Sequence, residues 1–277
     1  MLSASVTGGD VSNIDGTFSS NMSNADFYFL NPAGILFGAN AQLDIQGSLY
    51  LSSADYLHFE DGLQFNTNIT NQNSLTVAEP SAFGFLDKHF GNITINGSSN
   101  SSLRVAEEKN LVIVGGDIQI NSGDLYAPRG NIKLVSSLSK GEVKPLDIMN
   151  NTLTQLGNIK LEKRTSLDVN AQTAEQGKSG SIFILGGQFF LTEQSYIQTL
   201  GDAGTGDITI ISKGQLQISD NSQITMKTSG DVDIGNITIK ANHLKVTDGS
   251  QIRANGKSGT ITINAEKIGS PEQSSDV

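Results

Sequence analysis

Cysteine is missing from all 277 residues, which removes disulfides and thiolate metal sites from consideration. A chain without cysteine also suits export in an unfolded state. Positive charge is scarce: 18 Lys and Arg face 28 Asp and Glu, for a formal net charge of −10 and a pI near 4.7. Binders of nucleic acid concentrate positive charge, and the same holds at an anionic membrane surface, so neither is expected as a partner. No run of 18 apolar residues occurs, so no membrane-spanning helix is predicted. The histidines His58, His89 and His243 show neither H-x-x-x-H nor H-E-x-x-H spacing, and no G-x-S-x-G elbow exists. No metal ligands, cofactor-binding residues or catalytic residues are assigned. The opening Met1-Leu2-Ser3-Ala4-Ser5 has neither the basic nor the apolar region of a signal peptide.

Glycine, by contrast, is plentiful at 30 residues, and eight of them open a recurring phrase of glycine, a small polar residue and an Ile-x-Ile or Ile-x-Leu core. It starts at Gly91, Gly116, Gly130 and Gly157, then at Gly180, Gly206, Gly235 and Gly259. From Gly157 onward the steps are 23, 26, 29 and 24 residues, the period of a solenoid coil. Glycine turns a corner at low steric cost, the Asn, Asp, Ser or Thr after it can bond turn backbone, and the alternating β-branched residues point inward and outward. A second phrase follows in several coils, as in Leu216 to Ile224 and Leu244 to Ile252. One such coil cannot bury its apolar face alone, so coils must stack.

The predicted fold is all-β: a right-handed parallel β-helix, a single-stranded β-solenoid of the pectin-lyase-like kind. A leucine-rich repeat shares the period but requires an L-x-x-L-x-L-x-x-N run with a helix or tight turn behind it, and no apolar spacing of three and four residues is sustained. Gly116 and Gly130 are only 14 residues apart, so their phrases are expected on different faces of one coil, with strands at Asp117 to Ile120, Asp124 to Tyr126 and Asn131 to Leu134. The isoleucines 93, 118, 159, 182, 208, 237 and 261 are expected to stack in the core.

The first 85 residues read differently. They include Val6 to Gly16, the run Phe27-Tyr28-Phe29-Leu30-Asn31-Pro32-Ala33-Gly34-Ile35-Leu36-Phe37-Gly38, and Leu43 to Leu49. Here the chain resembles the filamentous-haemagglutinin N-terminal domain, also called the haemagglutination-activity or two-partner-secretion (TPS) domain. Asn31-Pro32-Ala33-Gly34-Ile35 is similar to that family's N-P-N-G-I motif, with Ala33 in place of the second Asn. Ala82 to Phe85, and Gly115 to Ile132, resemble its later coils. The likeness is close over residues 6 to 136 and continues in repeat style beyond. The N-P-N-L motif and the coils that would precede Val6 do not occur, so the resemblance implies an N-terminally truncated domain. It further implies a secretion role for Asn31, Pro32, Ala33, Gly34 and Ile35, and a cognate outer-membrane transporter as partner. The expected product is an adhesin-like exoprotein, secreted or at the cell surface of a Gram-negative bacterium, with an unidentified ligand on a host or neighbouring cell. From the residues alone the motif is a turn: Asn31 at position i, Pro32 setting φ at i+1, and Gly34 favoured at i+3.

The expected organisation is a TPS-like β-helix over 1–136, an inserted loop at 137–156, further β-helix repeats over 157–268 and a polar tail at 269–277, without an evident cap. Phe83, Phe85 and Phe90 are expected to fold over the side or end of the solenoid. The enzymatic alternative, a β-helical polysaccharide lyase or glycoside hydrolase, would draw on Asp202, Asp207, Asp231 and Asp233 with Arg253. Asp207, however, occupies the corner position of the recurring phrase. The sequons at Asn68, Asn92 and Asn236 follow from turn asparagines set before threonine-rich strands. A structural spacer is the remaining reading.

Overall fold

A computed structural model describes residues 1–68, 76–86, 90–97, 102–171, 177–228 and 231–269. His89 and the polar tail from residue 270 lie outside the described residues. Within them the chain is all strand and turn, with no helix, and the strands stack as a parallel β-helix with three ladders. The first ladder runs through Phe27–Leu30, Leu49–Ser52, Leu111–Gly115, Ile132–Ser136, Ile182–Gly186 and Ile208–Ser212 into Ile237–Val246. A second passes through Ile35–Phe37, Ile93–Asn96, Ile118–Asn121, Asn158–Glu162, Gln188–Leu191 and Gln215–Ile218 into that same long strand. The third contains Ser102–Arg104, Asp124–Tyr126, Ser166–Asp168, Tyr196–Leu200, Gln223–Lys227 and Gln251–Asn255.

Register explains the core. Ile93, Ile118, Ile159, Phe189, Leu216 and Leu244 follow one another on the second ladder, and Leu111, Ile132, Ile182, Ile208, Ile237 and Ile261 on the first. All are essentially buried except Ile261, which stands above Ile237 in the last described coil and is 42 % exposed. Each buried side chain of this size contributes about 1.5–3 kcal/mol. The recurring phrase therefore serves two different corners. The phrases at Gly91, Gly116 and Gly157 enter the second ladder, whereas those at Gly130, Gly180, Gly206, Gly235 and Gly259 enter the first. Gly116 and Gly130 lie on different faces of one coil, as expected. The 23-residue step from Gly157 to Gly180 is not a coil period, because it too crosses from one face to the other. Asn131 meets its true successor Ser181 across 50 residues.

The glycines are explained by closeness more than by φ. A β-carbon on Gly130, Gly180, Gly206 or Gly235 would overlap the carbonyl oxygen of Lys109, Gly130, Gly180 or Gly206 in the preceding coil. The corner backbones stack directly, and glycine is the residue that permits this. The polar residue after each glycine then bonds along the stack. Side-chain oxygens of Asp26, Ser48, Asn110, Asn131, Ser181, Asp207 and Asn236 each accept the backbone N–H of the corresponding residue one coil on, from Ser48 through to Thr260. This ladder satisfies corner N–H groups that strand pairing leaves unpaired. The second phrase forms another corner, in which Lys163-Arg164, Glu193-Gln194, Asp220-Asn221 and Asp248-Gly249 all adopt positive φ. There the hydroxyls of Thr165, Ser195, Ser222 and Ser250 accept N–H groups from the coil before.

Two excursions, one whose described residues are 53–68, 76–86 and 90–92 and one at 137–157, leave the helix at the same corner, between the first and second ladders. They meet each other: Pro80–Phe85 pairs antiparallel with Tyr56–Phe59 on one side and with Gly141–Val143 on the other. Residues 137–156, expected as a loop, thus complete a four-stranded antiparallel sheet with Gln64–Asn66 at its far edge. This sheet covers outward side chains of the first ladder. Phe83 and Phe85 are buried with Leu57, Val114, Val135 and Val143 in a second core outside the solenoid, as expected of a segment folded over its side. Tyr28 and Tyr50 stack beneath, with centroids 4.2 Å apart. Lys133 ties the second excursion down, its Nζ donating to the carbonyls of Pro145 (3.0 Å) and Leu146 (2.8 Å), and burial lowers its pKa.

Tyr56 and Glu142 join the two excursions through a 3.0 Å hydrogen bond, and His58 Nδ1 lies 3.1 Å from the same carboxylate oxygen. Burial first, and then the bond to Glu142, push the Tyr56 phenol from 10.0 up to about 12. The folded state therefore holds this proton more tightly than the unfolded chain. Its stabilisation is complete below pH 10 and is lost as pH rises through 12. We expect the excursion sheet to loosen over that interval, with tyrosinate absorbance and near-UV dichroism changing together. In Tyr56→Phe that part of the dichroism change should disappear.

Candidate functional site

Asn31 ends the first-ladder strand Phe27–Leu30, and Ile35 begins the second-ladder strand Ile35–Phe37, so the motif is the corner between the two ladders. This is the corner at which both excursions leave in later coils. Its geometry is a β-turn, with Gly34 N donating to Asn31 O at 2.9 Å. The Asn31 side chain reinforces it, since Oδ1 accepts from Ala33 N at 3.0 Å. Its Nδ2 donates to Asp10 O at 2.9 Å and to Ser12 Oγ at 2.8 Å. Asn31 is 1 % exposed, although its partners Ser12 and Ala33 are half-buried and Asp10 is exposed.

Neighbouring coils grip the corner from both sides. On one side Ser12 N donates to Gly34 O at 3.1 Å; on the other Ile35 N donates to Asn92 O at 3.0 Å. Gly34 has φ +114°, and a β-carbon there would lie 2.6 Å from Asn92 O. Gly91 is constrained in turn, because its own β-carbon would overlap Pro32 O and Gly34 N. Ile35 is buried in the core between Ser12 and Ile93 in register. Ala33 uses only its backbone N–H in the turn, which accounts physically for alanine at a position where the resembling motif has asparagine. The corner holds shape: it brings together backbone groups, the Asn31 amide and the Ser12 hydroxyl.

Removing the Asn31 side chain should therefore cost more than one hydrogen bond. Asn31→Ala removes the side-chain partner of the half-buried Ala33 N, of Asp10 O and of Ser12 Oγ, for an expected loss of about 1–2 kcal/mol in urea unfolding. Asn31→Asp should not restore it, because an acceptor would then face Asp10 O.

Three of the four carboxylates considered for catalysis, all but Asp202, have partners in the neighbouring coil or loop. Asp207 Oδ1 accepts from Asn236 N at 2.7 Å, Asp233 Oδ1 from Ser258 Oγ at 2.7 Å, and Asp231 faces Lys257 at 3.7 Å. Arg253 stands on the third ladder, opposite Thr225. Among the described residues no group of three or more His, Asp or Glu side chains is placed to hold a metal ion. His243 Nε2 lies 2.7 Å from Gly269 O. The sequon asparagines Asn92 and Asn236 accept backbone N–H groups from the next coil. Sequence reasoning missed Asp10, Ser12, Gly91 and Asn92 as the surroundings of the motif. The only local signal was a Gly-Asn phrase at 91–92 matching no corner of known position.

A family model described as the TPS secretion domain matches residues 3–182, about two thirds of the chain and well past residue 136. No curated protein and no solved structure matches. With a parallel β-helix in place and the Asn31 corner built into it, the chain belongs to the TPS secretion domain family, the hallmark of two-partner-secretion exoproteins.

Proposed function

We propose that this chain is the part of an exoprotein that directs secretion through a cognate outer-membrane transporter of a Gram-negative bacterium. The exoprotein then acts as a secreted or surface-held adhesin of the haemagglutinin kind. Asn31, Pro32, Ala33, Gly34 and Ile35 serve export by fixing the corner on which the first coils stack. The observation that carries this reading is the burial of Asn31 between Asp10, Ser12 and Ala33, inside a region that the family match covers. A motif so placed supports folding of the coils, with its polar side chain turned inward and only Pro32 and Ala33 partly exposed. The proposed division of labour has residues 137–156 as an inserted element and 157–268 as continuing coils.

Transporter dependence tests the reading. The exoprotein, directed to the periplasm, should reach the medium when the transporter encoded beside its gene is co-expressed and should stay periplasmic without it. Equal release in both cases contradicts the proposal. Attachment of the purified exoprotein to erythrocytes or epithelial cells tests the adhesive role, and its absence would leave a spacer.

A further inference from the structure

A groove of about 820 Å³ opens along the corner where the second excursion lies against the solenoid, far in sequence from Asn31. It is lined by the half-buried Leu153 and Leu156 of the excursion, by Leu185 and Ile211 of the first ladder, which are 3 % and 6 % exposed, and by Lys213 in the coil of Ile211 and Lys240 one coil further on. Leu185 is in register with Ile211, and Ile211 with Lys240, so these three form a single column that passes from apolar to cationic along the axis. Two coil steps of about 4.8 Å separate Leu185 from Lys240, roughly 10 Å. Gly187 lets the excursion approach closely, since a β-carbon there would overlap Leu156 O, and Gly187 and Gly214 both line the groove. No Asp or Glu lines it, although the chain carries a net charge of −10.

We propose that this groove binds a single-chain anionic amphiphile, a medium-chain fatty acid, with its tail along Leu153, Leu156, Leu185 and Ile211 and its carboxylate between Lys213 and Lys240. Size fits a small-molecule site, for which about 300–1,000 Å³ is usual, and the lining divides evenly between apolar residues and polar ones such as Asn151, Gln155, Asn158 and Gln188, which surround the apolar strip. Tail burial supplies attraction in proportion to apolar area. Lys213 and Lys240, in adjacent coils, supply positive charge that selects the sign of the head group and so the direction in which the ligand lies. An acidic chain repels anions elsewhere, which makes the lysine end of the groove the place where a carboxylate is favoured.

Calorimetric titration of the intact chain with dodecanoate, below its micelle-forming concentration, tests this. Saturable binding of one dodecanoate per chain is expected. Dodecyltrimethylammonium, with the same tail and the opposite charge, should bind at least about tenfold more weakly, and butanoate should not bind measurably. The double variant Lys213→Glu/Lys240→Glu should lose about tenfold or more in affinity for dodecanoate. Leu156→Ser, which changes the wall without touching charge, should weaken it severalfold while far-UV dichroism stays that of the parent. The proposal is overturned if dodecanoate does not saturate, if the cationic amphiphile binds equally well, or if the double lysine variant binds like the parent.

Discussion

Gly180→Ala should destabilise the protein by more than about 3 kcal/mol, a large loss for the addition of one methyl group. Backbone preference is not the cause, because Gly180 does not occupy the positive-φ region. The new β-carbon would overlap Gly130 O in the preceding coil, and both partners are backbone, so no side-chain rotation relieves the contact. Relief would require separating the two coils. That movement would break the bonds from Ile132 N to Ser181 O (3.1 Å) and from Ser181 N to Asn131 Oδ1 (3.2 Å). Gly8→Ala is the control: nothing lies within 4 Å of the added carbon, and a change within about 0.5 kcal/mol is expected. Urea midpoints for the two variants would separate corner stacking from a general intolerance of glycine replacement. Equal midpoints would show that the corners do not stack as described.

Gly34→Val should be comparably severe for two reasons that add. Valine at φ +114° is a backbone outlier, costing on the order of 1–3 kcal/mol. Its β-carbon would also lie 2.6 Å from Asn92 O, and displacing Asn92 breaks the bond that Ile35 N makes to it. A total above about 3 kcal/mol is expected. Under the proposed function, export of the exoprotein through its transporter should fall to background. Gly34→Ala carries the same contact with a less awkward side chain and should fall between the parent and Gly34→Val in both readouts.

The repeat was legible because its cause is local. Glycine, a small polar residue and two branched apolar residues are neighbours in the chain, and each has its reason within one corner and one strand. Which corner a phrase occupies was not legible, because Gly157-Asn158-Ile159 and Gly180-Ser181-Ile182 are chemically alike and turn different corners. Only the pairing of Ile159 with Ile118, and of Ile182 with Ile132, tells them apart. The excursion sheet was hidden for a similar reason, since Phe83 and Phe85 announce burial while the strand Gly141–Val143 that pairs with them lies far along the chain. At the Asn31 corner the turn itself could be read from Asn, Pro and Gly. Its burial could not, because the groups that enclose Asn31 come from Asp10 and Ser12, 21 and 19 residues earlier, and from the return of a long excursion.

The central claim is that the Asn31 corner serves secretion by shaping the first coils. It is tested most directly by measuring export beside folding stability for Asn31→Ala and Asn236→Ala. Asn236 accepts from Thr260 N at 3.0 Å and from Thr260 Oγ1 at 2.8 Å at an exposed corner, so its loss also removes side-chain bonds to a neighbouring coil, there in a late part of the chain. Transporter-dependent export should drop sharply for Asn31→Ala and stay near the parental level for Asn236→Ala. Equal export of the two variants, with Asn31→Ala measurably destabilised, would contradict the claim.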